Sequence, residues 1–140
     1  MRYYLSLGSN LGEREQTLRQ AVERIARQIG VVTACSDLFY SAPWGYESAN
    51  TFCNLCCCVE TERRPLEMLA ATQAIERQLG RDHKTVNRQY ADRTIDIDLI
   101  RAYDENGQEI RYESETLTLP HPLWEQRDFV RVPLKQIMTN

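Results

Sequence analysis

The chain has 140 residues and no hydrophobic run long enough to cross a bilayer, since a membrane-spanning helix needs about 20 consecutive apolar residues. Its first residues, 1 to 5, pass directly into Gly8-Ser9-Asn10 without the apolar core of a secretory signal. The formal net charge is -3, so the chain lacks the basic excess that broad binding to nucleic acid or anionic membranes requires. We therefore expect a cytoplasmic protein in which any anion site is a local cluster of cationic side chains.

The sequence has no internal repeat and no low-complexity segment that would divide it. Its length is that of one ordinary domain and is sufficient to bury a hydrophobic core. We therefore expect a single domain spanning residues 1–140.

The five cysteines, at positions 35, 53, 56, 57 and 58, do not form a recognisable metal site. Cys53 and Cys56 have C-x-x-C spacing, but they lie in a strand-like apolar run and no second ligand pair follows elsewhere. This pattern favours buried, reduced thiols that act as small hydrophobic side chains. A zinc or redox role is the alternative.

The chain also lacks a phosphate loop, because Gly8-Ser9-Asn10-Leu11-Gly12 has neither the glycine spacing nor the lysine of that motif. We interpret this segment as a turn after a first strand. The predicted order is strand, helix, strand, strand, helix, strand, and the approximate bounds are 3–7, 13–29, 31–40, 51–61, 65–79 and 93–100. This order predicts an α+β fold, a ferredoxin-like two-layer sandwich whose antiparallel sheet has helices packed on one face.

The segment from Arg93 to Ile100 alternates strictly between apolar and polar residues, which is typical of a strand. Asp96 and Asp98 would then point the same way, about 7 Å apart along the strand. In proteins, Mg²⁺ is usually bound by one or two carboxylates together with the phosphates of a substrate. The alternative is a half-buried strand with a solvated acidic face.

Two polar segments are candidates for substrate contact. Residues 81–93 carry several cationic side chains just before the acidic strand. This charge indicates a loop that closes over a bound anion. The alternative is a solvated connector. Residues 41–51 form a long loop, and such loops often bind ligands, although a plain hairpin connection is the alternative.

Taken together, four segments resemble the 6-hydroxymethyl-7,8-dihydropterin pyrophosphokinases of folate biosynthesis over essentially the whole chain. In order, these are Gly8-Ser9-Asn10-Leu11, Pro43 with Phe52 and Asn54, Arg93 to Asp98, and Leu119-Pro120-His121-Pro122 with Arg127-Asp128-Phe129-Val130. The resemblance implies transfer of a pyrophosphoryl group from ATP to the hydroxymethyl group of the pterin, with release of AMP. It also implies a monomer that acts on small molecules.

The resemblance implies a role for particular residues at the phosphates. Asp96 and Asp98 correspond to the ligands of two Mg²⁺ ions. The residues that would hold the phosphates of ATP are Arg81, Arg93, His121 and Arg127, supplemented by His83 or Lys84. Gln73 and Glu76 would lie beside the nucleotide on the second helix. Within this set, the resemblance implies a catalytic role for Arg81, Arg93, Asp96 and Asp98.

The resemblance likewise implies a pterin site. Phe52 and Phe129 would sandwich the ring and Asn54 would bind its edge. Pro43 and Gly45 would also contact the substrate. An aromatic pair with one amide suits a flat, polar heterocycle.

The chain departs from the family pattern in three places. Ala91-Asp92 replaces the usual Gly-Pro before Arg93, the segment between Arg81 and Arg93 is a little longer than in familiar members, and Ala42 replaces a residue that is commonly polar. In addition, Tyr90 takes the place of the usual tryptophan. Asp92 and the missing Gly-Pro leave a non-catalytic nucleotide- or pterin-binding module as the alternative function.

Overall fold

The structure, a computed structural model, describes residues 1–10, 12–42, 51–80 and 95–138. Its elements, in chain order, are β1 (Arg2–Ser9), α1 (Arg14–Gln28), β2 (Val31–Cys35), β3 (Phe39–Ser41), β4 (Phe52–Glu60), α2 (Pro65–Gln78), β5 (Asp96–Tyr103), β6 (Tyr112–Glu113), β7 (Thr118–Leu119) and α3 (Asp128–Ile137). A single 3₁₀ turn, Trp124–Gln126, precedes α3.

The main sheet has the strand order β2-β4-β1-β5, and β3 pairs with β4 beyond the end of β2. The paired strands are antiparallel, and β4 lies between β1 and β2 although α1 connects those two along the chain. This split arrangement is the ferredoxin-like α+β fold that the sequence predicts. A separate two-stranded ribbon contains β6 and β7.

The larger hydrophobic core lies between one face of the sheet and the helices α1 and α2. Tyr3, Leu5 and Leu7 of β1 point to this face and are fully buried, as expected for alternate residues of a strand. Leu18 on α1 and Met68 on α2 pack against them and are also fully buried. The two predicted helices therefore cover one face, as expected.

The opposite face has a smaller core, which α3 covers. Val130 and Leu134 of α3 pack with Tyr4, Cys56 and Ile100. The sequence analysis did not predict α3, because prolines interrupt the C-terminal segment and Pro133 lies inside the helix. The burial of its apolar stripe accounts for the helix nonetheless.

Strand β4 distributes its cysteines between the two cores. Cys53 and Cys57 point to the larger core, whereas Cys56 and Cys58 point to the smaller one. All four are buried with free thiols, as predicted, whereas Cys35 is exposed. Burial raises the pKa of Cys56 to about 12, which keeps this thiol protonated and inert.

The long strand predicted over residues 31–40 is divided into β2 and β3. Between them, the Ser36 amide donates to the Cys56 carbonyl at 2.8 Å, and the Ser36 hydroxyl accepts from the Cys56 amide at 2.9 Å. Gly30, before β2, is required by a close approach, since a Cβ there would lie 2.1 Å from the Glu60 carbonyl oxygen. None of the helices in the described ranges is long and apolar enough to span a membrane.

Candidate active site

A row of paired residues crosses the sheet near the start of β5. Gly8 of β1 pairs with Asp96 on one side and with Asn54 of β4 on the other, and Asn54 in turn pairs with Phe39 of β3. Asp96 and Asn54 are therefore two strand spacings apart, or about 10 Å. Glycine leaves the surface between them without a side chain.

Asp96 and Asp98 lie on the α3 face of the sheet. Ile95, Ile97 and Leu99 point into the larger core and are 0%, 4% and 3% exposed, so the intervening aspartates point the other way. Both aspartates are partly exposed. The predicted alternation is thus confirmed.

The carboxylates of Asp96 and Asp98 are suitable ligands for a hard cation. Two carboxylates from alternate positions of one strand face a surface that remains accessible to water, and Mg²⁺ is usually held by one or two carboxylates with water and phosphate oxygens completing its shell. These residues are therefore the ones that would hold magnesium.

Glu76 reaches the outer edge of β5 from α2. Its side chain is 4% exposed, and its Oε2 accepts a hydrogen bond from the Ile97 amide at 2.7 Å. Ile97 is the residue between the two aspartates, so this bond ties the strand to α2 at that position. Gln73, one turn earlier on α2, is exposed. Both residues belong to α2, which packs on the face of the sheet opposite α3.

Gly8 is required by the position of the Asn54 amide. A Cβ at Gly8 would lie 2.7 Å from Asn54 Oδ1 and 3.4 Å from Phe52 Cδ1, and the first distance is too short for any side chain. Sequence reasoning treated Gly8 only as part of a turn. It missed this role, because the contact depends on the register between β1 and β4.

The side-chain amide of Asn54 is held by hydrogen bonds to residues of β3. Its Nδ2 donates to the Phe39 carbonyl at 3.2 Å and to the Ser41 hydroxyl at 3.0 Å. Asn54 itself is 2% exposed. Sequence reasoning did not identify Ser41, and nothing in its type or spacing marks it.

His121 is held beside β5 by its backbone and its ring. Its amide donates to the Ile100 carbonyl at 2.8 Å, and its Nδ1 accepts from the Leu123 amide at 3.1 Å. Burial, and then the charge of Arg127, lowers its pKa to about 4, although Asp96 acts in the opposite direction. The imidazole is therefore neutral at pH 7 with its proton on Nε2, which makes it a hydrogen-bond donor.

Arg127 and Phe129 come from the start of α3. The Arg127 guanidinium lies 5.9 Å from the centre of the Phe129 ring, within the range of a cation–π contact. Phe129 is partly buried against the smaller core. Phe52 is also partly buried and shares the α3 face with Asn54, because the two are alternate residues of β4.

A polar network joins the N-terminal turn of α1 to residues on both sides of segment 43–50. The Tyr40 hydroxyl donates to Glu15 at 2.7 Å, and Arg14 Nη1 donates to the Thr51 carbonyl at 2.7 Å and hydroxyl at 2.6 Å. The hydrogen bond to Glu15 raises the pKa of Tyr40 to about 12. Sequence reasoning missed this network, which brings together residues from three separate segments.

Some predicted site residues lie outside the described residues, namely Arg81, Arg93, Pro43 and Gly45, together with His83, Lys84 and Tyr90. Within the described part, the fold brings seven predicted residues to the α3 side of the sheet or its edge. These are Phe52, Asn54, Asp96, Asp98, His121, Arg127 and Phe129.

The chain is similar to known proteins in sequence and in fold. The model of the family described as 7,8-dihydro-6-hydroxymethylpterin-pyrophosphokinase matches residues 4–139. A 2-amino-4-hydroxy-6-hydroxymethyldihydropteridine pyrophosphokinase from Porphyromonas gingivalis is 42% identical over 134 residues, which covers 96% of this chain and 88% of that protein. The protein of the same name from Bacillus subtilis is 38% identical over 135 residues, which covers 96% of this chain and 76% of that protein.

The fold also matches a solved structure of HPPK-DHPS in complex with substrates. The TM-score is 0.69 with 14% sequence identity, and the match covers 97% of this chain and 40% of that chain. This likeness concerns the fold alone, whereas the family model and the relatives carry the assignment. The chain belongs to the 7,8-dihydro-6-hydroxymethylpterin-pyrophosphokinase family.

Proposed function

We propose that this chain transfers the pyrophosphoryl group of ATP to 6-hydroxymethyl-7,8-dihydropterin on the α3 face of its sheet, giving AMP and the pterin diphosphate for folate biosynthesis. The observation that carries this proposal is the row formed by Asn54, Gly8 and Asp96. In this row an amide, a group that can hydrogen-bond a heterocycle edge, lies about 10 Å from a carboxylate, a group that can bind magnesium.

At the phosphate end, Asp96 and Asp98 would hold two magnesium ions. When bound, magnesium would supply positive charge that neutralises the triphosphate. His121 donates from Nε2 to a phosphate oxygen, since its Nδ1 is already occupied by the Leu123 amide. Arg127 adds positive charge beside it, and Arg81 and Arg93 complete the set as catalytic cations.

At the pterin end, Phe52 and Phe129 stack on the two faces of the ring. Both are partly buried on the α3 face, which leaves ring surface available for a ligand. Asn54 binds the edge of the heterocycle, and Pro43 and Gly45 contact it from the adjoining segment. Gln73 and Glu76, at the edge of β5, lie on the nucleotide side.

In the reaction, the hydroxymethyl oxygen attacks the β-phosphorus of ATP in line with the bond to the leaving AMP oxygen. The new bond joins that oxygen to the β-phosphorus, and the bond between the β-phosphorus and the α,β-bridging oxygen breaks, with its electron pair passing to AMP. The proton of the hydroxymethyl group passes to water. This chain contributes mainly positioning and charge stabilisation, which carry most of the catalysis in phosphoryl transfer. His121 is not the general base, because its accepting nitrogen is occupied.

We also propose that residues 1–140 form one domain that acts as a monomer on small molecules in the cytoplasm. The two hydrophobic clusters support a single domain, because they pack on opposite faces of the same sheet.

The reaction type is tested by identifying the nucleotide product. With ATP, magnesium and the reduced pterin, we expect one AMP for each pterin diphosphate, measured by anion-exchange chromatography. A control without pterin corrects for hydrolysis of ATP. Formation of ADP would contradict pyrophosphoryl transfer, and tight binding of both ligands without product would favour the non-catalytic binding module.

A further inference from the structure

The geometry around Asn54 determines which end of its carboxamide faces the site. Two acceptors on β3 take the two protons of Nδ2, namely the Phe39 carbonyl at 3.2 Å and the Ser41 hydroxyl at 3.0 Å. An amide nitrogen has only these two protons. Nδ2 therefore has no proton left for a ligand.

The opposite orientation of the amide is disfavoured. A carbonyl can only accept, so a rotated amide would place Oδ1 against the Phe39 oxygen without a proton between them. The Ser41 hydroxyl supplies the second acceptor and lies on the same short strand, two residues further on. Ser41 thus completes the set of contacts that holds Nδ2 towards β3.

The amide oxygen of Asn54 lies over Gly8, on the α3 face of the sheet. A Cβ at Gly8 would be 2.7 Å from Asn54 Oδ1, so the oxygen lies directly above the glycine. Gly8 separates Asn54 from Asp96 in the pairing. Oδ1 is therefore the atom of the Asn54 amide that points along the row towards Asp96, whereas Nδ2 points to β3.

We propose that Ser41 is a positioning residue that makes Asn54 present only its oxygen, so that the site selects a heterocycle edge that donates hydrogen bonds. This inference rests on the proposed function, in which Asn54 binds the pterin edge. The amino and ring N–H groups of a pterin form such an edge. A heterocycle that presents a carbonyl there would meet the Asn54 oxygen, and unpaired acceptors in a site reject a ligand strongly.

Ser41→Ala removes one acceptor, and Ser41→Thr keeps it. For Ser41→Ala we expect the KM for the reduced pterin to rise about three- to tenfold, the effect of one neutral hydrogen bond, while kcat stays within about twofold. Ser41→Thr is expected to restore KM. The matched control is Ser36→Ala, which removes a serine hydroxyl that accepts from the β4 backbone at Cys56 and is expected to leave KM unchanged.

Selectivity is measured with the 2-oxo analogue, 6-hydroxymethyl-7,8-dihydrolumazine, which has a carbonyl where the pterin has an amino group. We expect the ratio of kcat/KM for the pterin over the analogue to fall in Ser41→Ala and to be unchanged in Ser36→Ala. A ratio or KM that is the same in both alanine variants would overturn the inference. So would a loss of kcat alone, which would indicate a structural role.

Nuclear magnetic resonance tests the orientation directly, without turnover. In the wild type, both Asn54 side-chain amide protons are expected to exchange slowly with water, whereas one exchanges faster in Ser41→Ala. Two fast protons in the wild type would reject the inference even if the enzyme makes AMP. Conversely, absence of AMP with two protected protons would reject the proposed function and with it the role assigned to Ser41.

Discussion

Among single residues, Asp96 and Asp98 are partly exposed and alternate with buried residues of β5. Their neighbours Ile97 and Leu99 are 4% and 3% exposed, so the backbone that carries the carboxylates is anchored in the core. A carboxylate on such a rigid element can hold a cation in a defined position. Changes to these two side chains are therefore expected to affect chemistry more than folding.

Asp98→Ala and Asp96→Ala are each expected to lower kcat by about 100-fold or more, because one carboxylate is lost where charge develops on the phosphates. The thermal midpoint is expected to change little, since both side chains are partly exposed. Steady-state kinetics over a magnesium titration, with circular dichroism, measures both quantities. Glu105→Ala, in an exposed turn, is the control, and normal turnover of Asp98→Ala would contradict the metal assignment.

His121 is expected to make the folded state sensitive to acid. Its pKa falls from 6.5 to about 4 in the folded chain, so below pH 6.5 the unfolded chain takes up a proton that the folded chain does not. This contribution to stability is complete above pH 6.5 and is lost as the pH falls towards 4. Because the ring keeps some contact with water, we expect about 1 kcal/mol across this interval.

Urea unfolding of the wild type and His121→Asn at several pH values between 7.5 and 4.5 measures this contribution. The wild type is expected to lose more stability than the variant between pH 6.5 and 4.5, because asparagine does not titrate. Equal losses in the two proteins would show that the imidazole is not held in its neutral form.

Between elements, the contact of α2 with β5 supports the strand that carries the aspartates. In the described part of the sheet, β5 is an edge strand, and Glu76 gives the Ile97 amide an acceptor that no neighbouring strand supplies. A buried amide without an acceptor is costly. We therefore expect Glu76 to hold the segment between the two aspartates in place, whatever contact it also makes with nucleotide.

Glu76→Leu is expected to lower the free energy of unfolding by about 1–3 kcal/mol, since the Ile97 amide loses its acceptor. Glu76→Gln retains an acceptor oxygen and is expected to lose less. Chemical denaturation compares the two, and the magnesium concentration for half-maximal activity shows whether the aspartates have shifted. Equal stability of the leucine and glutamine variants would contradict this role.

Over the whole molecule, one sheet has two different functions on its two faces. The α1 and α2 face carries the larger core, whereas the α3 face combines a smaller core with the candidate site. Helix α3 takes part in both, because Leu134 is fully buried and Phe129, more than one turn earlier, is only partly buried. We therefore expect Leu134 to contribute mainly to stability and Phe129 to contribute mainly to substrate binding.

Leu134→Ala is expected to cost about 2–4 kcal/mol of stability, the usual effect of a cavity in a core, with little change in the KM of the folded protein for pterin. Phe129→Ala is expected to cost less stability and to raise that KM severalfold. Denaturation and steady-state kinetics on both variants provide the comparison. If the two variants changed stability and KM in the same proportion, Phe129 would belong to the core and not to the pterin site.

The sequence was sufficient to predict the alternation of residues 95–100, the two helices of the larger core and the burial of the four β4 cysteines. These features follow from local periodicity, because a strand repeats every two residues and a helix every 3.6. The motif resemblance supplied the roles of residues as distant as Asn54 and Phe129. Periodicity alone does not bring such residues together.

Only the tertiary structure decided which side chains meet. The fit of Gly8 under Asn54, the contact of Ser41 with that amide and the bond from Ile97 to Glu76 all depend on strand register and helix position. Helix α3 forms because the sheet offers an apolar face for Val130 and Leu134, although Pro133 argues against a helix locally. Contacts between residues far apart in the chain are set by the packing of whole elements, and a local sequence pattern carries no direct record of them.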